Sequence, residues 1–321
     1  MNYKIEKKLN VVLFGAGKAG NYHASSILKI KNINILGVLN SGKKDPKEFR
    51  IKYKIDKWIK NYHDLKSIIK SIDAFILACP SEKTLEIIKN ISSYNIPCLI
   101  EKPLGISIKE SSEILSIMQN NNLSFVGYNR RFYSVILQSQ YFIKRFGTPY
   151  SIHIDAPEPL ESLVMRDKKI NDVNNRLILN TTHALDILNL FYGDYLSTYN
   201  FNQNSLIDRL KIDFMSFIHF KNNNTASFIS HWNSPGDWSV KLFGNNYQIK
   251  LNLTKNKGEI IIEKTKVVKF SVDNEDKTNK AGILKQNYFF FKSILEKKKA
   301  HNNLCTLNEA YVNIKLANDL K

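Results

Sequence analysis

The stretch VVLFGAGKAGNYH, residues 11–23, decides the fold: an apolar run enters a glycine turn, and the turn enters a helix. Gly15, Gly17 and Gly20 stand as G-x-G-x-x-G, a pattern that gains meaning only with a strand before it and a helix after it, as here. Gly15 permits the tight turn, Gly17 lets a pyrophosphate approach the backbone, and Gly20 lets the helix pack close on the strand. Lys18 and Ala19 complete the first helical turn, whose N–H groups suit a phosphate. The segment reads as a dinucleotide-binding turn.

The runs around it agree. NVVLF, INILGVL, AFILAC, PCLIEKP and SFVGY alternate with helical patterns over 18–30, 81–93 and 107–119. Such alternation gives a parallel sheet covered by helices, so the first half is a doubly wound α/β domain. An acid for the ribose hydroxyls is expected about twenty residues past the turn. The second strand instead ends GVLNSGKK, which puts Asn40 in that place, followed by Ser41, Lys43 and Lys44. Asparagine bonds a ribose hydroxyl without repelling a 2′-phosphate, and the lysines attract one. NAD and NADP both stay open, with a tilt to NADP.

From residue 211 the pattern changes. KIDFMSFIHF, TASFISHW, WSVKLFG, YQIKLNL, EIIIEK and VVKFSV follow one another without helices between them and with turn signals such as KNNN and GNN. This is a mostly antiparallel sheet with one wet face. Helices are expected over 134–146, over 182–192 with Gly193 as the stop, and at the carboxyl end. The boundary falls near residue 128, giving domains 1–127 and 128–321.

Composition narrows the functional classes. The chain has 321 residues and a formal charge of +18, but its lysines are scattered and no DNA-reading helix or RNA-binding pattern accompanies them. A solvated basic surface, or a polyanionic small molecule, fits better than nucleic acid. No signal pattern and no long apolar run occur, so a soluble, cytoplasmic protein without membrane contact is expected. Cys79, Cys98 and Cys305 lack metal-ligand spacing and read as small buried hydrophobes, with no metal site expected.

Polar residues cluster where strands of a doubly wound sheet end, which is where ligands bind. The fourth strand ends in Cys79 and Pro80, the fifth in Glu101, Lys102 and Pro103, and the sixth in Tyr128, Asn129, Arg130 and Arg131. A lysine leaving a buried strand beside an acid is a candidate general acid/base. Arg130 or Arg131 suits a substrate or cofactor phosphate. Arg166, in LVMRDKK, suits a carboxylate or phosphate. Trp232 and Trp238, in HWNSPGDW, offer rings for a sugar face.

The set GAGKAG, ACP, EKPLG, GYNRRF and HALD, in that order and spacing, resembles the Gfo/Idh/MocA oxidoreductases, most closely over residues 8–132. The resemblance implies a Rossmann domain followed by an α/β domain on an open, mostly antiparallel sheet that serves oligomer contacts and walls the substrate site. It implies an NAD(P)-dependent dehydrogenase or reductase acting on a carbohydrate, with nucleotide-activated and acidic sugars among the candidates. The EKP lysine, Lys102, is the implied acid/base, helped by His183, with Asp186 three residues on and on the same helix face. Glu101, with Asn40, Ser41, Lys43, Cys79 and Pro80, would line the cofactor. Two departures stand out. Many members carry aspartate four residues before the histidine, where this chain has Leu179 beside Asn180; and Thr84 stands where the family often has histidine. A regulatory dinucleotide-binding protein, or a glycosidase using tightly held NAD transiently, are the other functions that the resemblance allows.

Overall fold

A computed structural model describes residues 3–40, 44–159, 176–201, 206–207, 210–211, 213–232, 234–263 and 265–321. The chain divides into two compact units, one of residues 1–129 with 278–311 and one of residues 130–277 with 312–321. The single cut expected near residue 128 assigned everything beyond it to one domain. The contacts instead give 278–311 to the first unit.

The first unit holds β1 (Lys4–Phe14), β2 (Lys31–Leu39), β3 (Lys57–Ile59), β4 (Ala74–Leu77), β5 (Cys98–Ile100) and β6 (Phe125–Val126). Between them run α1 (Lys18–Ile27), α2 (Lys47–Tyr53), α3 (Tyr62–Ser67), α4 (Thr84–Ile91) and α5 (Ile108–Ile117). The strand order 3-2-1-4-5-6, all parallel, is that of the dinucleotide-binding α/β fold. Val11, Val12, Leu13 and Phe14 are all essentially inaccessible, because helices cover both faces of a parallel sheet.

The second unit begins with α6 (Ser134–Phe146) and β7 (Ser151–Asp155), and continues with α7 (Thr182–Tyr192) and β8 (Tyr195–Asn200). The short strands β9 (Leu206–Ile207) and β10 (Leu210–Lys211) pair with each other. Then come β11 (Asp213–Phe220), β12 (Thr225–His231), β13 (Ser239–Gly244), β14 (Tyr247–Asn252), β15 (Lys257–Ile262) and β16 (Lys266–Lys269). The large sheet runs 16-15-14-13-7-12-11-8 and is antiparallel except between β12 and β7. Burial alternates along β11, β12 and β14, the signature of one packed and one wet face. Rings from helices cover the packed face: Phe142 of α6 stacks on Phe270, and Tyr192 of α7 meets Phe220 edge-on. Met215, Phe217 and Tyr199 lie on the exposed side.

The remaining elements are α8 (Asn274–Thr278), α9 (Ile283–Glu296), β17 (Cys305–Thr306) and α10 (Leu307–Asp319). β17 adds an antiparallel seventh strand beside β6, and α9 packs on α1 and β1. Tyr288 meets Tyr3 edge-on and Phe290 meets Phe125, so α9 completes the core of the first unit. Among the described residues no helix is long and apolar enough to cross a membrane.

Candidate functional site

The glycine turn separates structural glycines from one that borders open space. Gly15 has φ of 104° and donates its N–H to Leu39 O at 2.8 Å; a Cβ there would lie 2.4 Å from Ala78 O. A Cβ on Gly20 would lie 2.3 Å from Gly15 O. A Cβ on Gly17 would meet nothing within 4 Å. Gly17 caps α1 without any side-chain bond and no acid stands in the first turn, so among the described residues that turn supplies no side-chain acceptor for the N–H groups of Lys18, Ala19 and Gly20. Beside the turn is a cleft of about 530 Å³ lined by Gly15, Gly17, Leu39, Asn40, Cys79 and Pro80. It lies past the carboxyl ends of β1 and β4, where the strand order reverses. These residues fit a dinucleotide: glycines that keep the backbone close, helix N–H groups for a pyrophosphate, and Asn40 for a ribose.

Gly15→Ala is therefore expected to lower the melting temperature, whereas Gly17→Val should leave it nearly unchanged and abolish NADH binding. Thermal melts and fluorescence titrations of both variants check this. Binding by Gly17→Val equal to wild type would remove the turn from the site.

Lys60 and Lys83 line the same cleft, and sequence reading missed both; an exposed lysine carries no local signal of what it faces. Lys83 is paired with Glu86 at 2.8 Å. Cys79 is half-buried rather than buried, and desolvation pushes its thiol up, so it serves as a neutral wall. Ser41 and Lys43 lie outside the described residues, as does Arg166. Thr84 opens α4 and is buried, with its Oγ1 4.0 Å from Cys79 Sγ.

Glu101 and Lys102 follow β5, both partly buried, and a cis peptide joins Lys102 to Pro103. Glu101 Oε1 lies 2.9 Å from Nε2 of His23, which is wholly buried on α1. His23 Nδ1 lies 3.0 Å from Asn287 Oδ1, and Asn287 Nδ2 donates to Ser26 Oγ at 2.7 Å. His23 thus braces the acid of the EKP motif. Tyr128 is buried. Asn129 donates its Nδ2 to Ala281 O at 2.8 Å, a bond that a buried amide requires.

In the second unit, His183 sits in the first turn of α7, largely buried. Asp186 shares that helix but its carboxylate is claimed elsewhere. Arg131 Nε donates to Asp186 Oδ2 at 2.8 Å, Arg131 Nη2 donates to Oδ1 at 2.6 Å, and Asn313 Nδ2 donates to Oδ1 at 2.7 Å. Both side chains of the ion pair are 0% exposed. Helix spacing gave the proximity of Asp186 to His183 but not the competing guanidinium. Arg130 behaves differently: its guanidinium lies 4.0 Å from the centre of the Trp238 ring. Burial pushes its pKa below the ordinary guanidinium value, with Tyr133 and Glu158 opposing the shift. Trp232 and Trp238 are both buried, and Trp238 Nε1 donates to Pro157 O at 2.9 Å, so neither ring is an open platform for a sugar. Asn180 Nδ2 donates to Glu158 Oε1 at 2.7 Å. Sequence reading did not single out Glu158.

Comparison with known proteins bears on this geometry. Residues 9–128 match the model of the Gfo/Idh/MocA group, described as an oxidoreductase family with an NAD-binding Rossmann fold. Over those residues, rather more than a third of its length, the chain is similar to the Gfo/Idh/MocA oxidoreductases. Among curated proteins it is similar to the uncharacterized oxidoreductase YrbE of Bacillus subtilis (strain 168), 25% identical over 156 residues, which is 48% of this chain and 46% of that protein. The match thus spans about half the length of that relative. Solved structures share the fold over nearly the whole chain. UDP-N-acetylglucosamine 3-dehydrogenase of Acidithiobacillus ferrooxidans superposes with TM-score 0.78 at 14% identity, covering 98% of this chain and 96% of that one. Levoglucosan dehydrogenase, in complex with NADH and levoglucosan, gives 0.80 at 15% identity over 98% and 96%. A putative NADPH-dependent oxidoreductase of Desulfitobacterium hafniense gives 0.81 at 14% over 97% and 94%.

Proposed function

We propose that this protein is a dehydrogenase or reductase that moves a hydride between a nicotinamide cofactor and a carbinol or carbonyl carbon of a carbohydrate. The observation that carries the reading is the open cradle at Gly17 beside the α1 N-terminus and the 530 Å³ cleft, with Lys102 at the end of the next strand but one from β1. When bound, the nicotinamide supplies the hydride acceptor or donor. In the oxidation direction Lys102 takes the hydroxyl proton as the C–H bond yields its hydride; in reduction it returns the proton. His183 is assigned to holding the reacting oxygen. Glu101, braced by His23, fixes the EKP loop from which Lys102 projects. Arg130 is assigned to an anionic part of the substrate, which favours a nucleotide-activated or acidic sugar. Asn40, Lys60 and Lys83 leave NAD and NADP both acceptable, with the two lysines favouring the phosphorylated form. The exposed Tyr199, Phe201, Met215 and Phe217 support a homo-oligomer formed through the sheet.

Fluorescence titration with NADH and NADPH, followed by absorbance of the nicotinamide against sugars, acidic sugars and nucleotide sugars, tests the reading. Tight binding with substrate-dependent turnover is the expected result. Tight binding without turnover on any sugar would replace it with a regulatory or internally recycling use of the cofactor. No binding of either nucleotide would end it.

A further inference from the structure

We infer that Glu158 is a positioning carboxylate, which holds from the end of β7 the segment that delivers His183. The inference rests on the oxidoreductase reading above. Glu158 stands in Ala156-Pro157-Glu158-Pro159, directly after β7, and is only 2% exposed. A carboxylate so buried is costly unless its oxygens are bonded and its charge is balanced.

Among the described residues, its side-chain hydrogen bonds and its ion pair run to the one stretch that opens α7. Asn180 Nδ2 donates to Oε1 at 2.7 Å, Thr181 Oγ1 donates to the same oxygen at 3.2 Å, and Arg176 Nε lies 3.5 Å from Oε2. That stretch makes a π-helical turn over Leu177–Thr181, and His183 is the second residue of the α-helix that follows. π-turns interrupt the helical ladder and concentrate at functional sites, so this one needs an external tie. Glu158 provides it, gripping the turn by two side chains whose neighbour in sequence is Leu179, the position where a carboxylate was expected.

The loop that carries the acid is itself braced. Prolines on either side fix the backbone, and Trp238 Nε1 holds Pro157 O at 2.9 Å. Arg176, at the start of the turn, is the guanidinium paired with the acid, and the field of Glu158 also reaches Arg130, laid on Trp238. Asn180 and Thr181 are the neutral donors. The carboxylate that the resemblance leads one to expect at position 179 has, in this chain, a counterpart in the loop after β7.

The test is steady-state kinetics of Glu158→Gln and Glu158→Asp on whichever sugar the wild type turns over. Glu158→Gln is expected to lower kcat by about 10–100-fold, the scale of a displacement of about 1 Å in a reacting geometry, with the nucleotide KM unchanged. Glu158→Asp, which keeps the charge on a shorter arm, should fall between Glu158→Gln and the wild type. Asn180→Ala, which keeps the acid and removes one of its bonds, should show the same kcat loss in weaker form and guards against misfolding of Glu158→Gln. A purely structural acid would lower the melting temperature and leave kcat per folded molecule at its wild-type value. Wild-type kcat in Glu158→Gln, or a loss that Glu158→Asp does not lessen, overturns the assignment. A wild type that turns over no sugar overturns instead the reading on which it rests.

Discussion

Lys102→Ala is expected to lower kcat by about 10²–10⁴-fold, the usual scale for loss of a positioned acid/base. NADH affinity should stay at its wild-type value. The two readouts separate because the proposed cofactor cradle is built from other atoms: the N–H groups of the α1 first turn and the backbone of Gly15 and Gly17. The lysine follows β5, two places along the sheet from β1. Lys102→Arg makes the test sharper. Arginine keeps the positive charge but does not give up its proton in the working range. If Lys102 acts only by its charge, the arginine variant keeps most of the activity; if it moves a proton, the variant is as slow as alanine. Fluorescence titration and initial rates at saturating sugar measure the two quantities. An alanine variant with full turnover would remove Lys102 from the chemistry.

The sequence was most legible where local chemistry decides the structure. α6 and α7 run over the expected spans because Gly147 and Gly193, with φ of 97° and 74°, end them. The glycine turn was legible because steric demands at Gly15 and Gly20 are met by no other residue. β7 escaped notice since SIHID turns Ser151, His153 and Asp155 to the wet face and shows only two apolar residues to the core. β8 lies at a sheet edge and is largely exposed, so its pattern carries no alternation. The helical pattern expected at the carboxyl end carried no sign that α9 packs on the first unit. The ties that shape the candidate site are of the same kind. Glu158 meets Asn180 across 22 residues of sequence and His23 meets Asn287 across 264, and spacing does not encode such pairs. Asp186 was placed correctly on the helix of His183, yet its partner Arg131 is set by tertiary packing alone.

That ion pair gives the largest expected stability effect. Asp186→Ala should destabilise the second unit by about 3–5 kcal/mol, because it leaves a guanidinium buried without its counter-charge. Arg131 has no water to turn to: both side chains are 0% exposed, and three hydrogen bonds of 2.6–3.0 Å join them. Arg131→Met should cost a similar amount by taking the counter-charge from a buried carboxylate that Asn313, a neutral donor, does not replace. The double variant Arg131→Met with Asp186→Leu is expected to recover most of the loss, since apolar replacement of a buried pair is often neutral. Denaturant unfolding of the four proteins closes the cycle, and the coupling energy is the quantity of interest. Single losses below about 1 kcal/mol would mean that the pair behaves like a surface bridge. Because His183 and Asp186 lie one turn apart on α7, the cycle also bears on the chemistry. If the double variant folds as well as wild type but turns over more slowly, the pair was kept for where it sets that helix, and stability alone does not account for it.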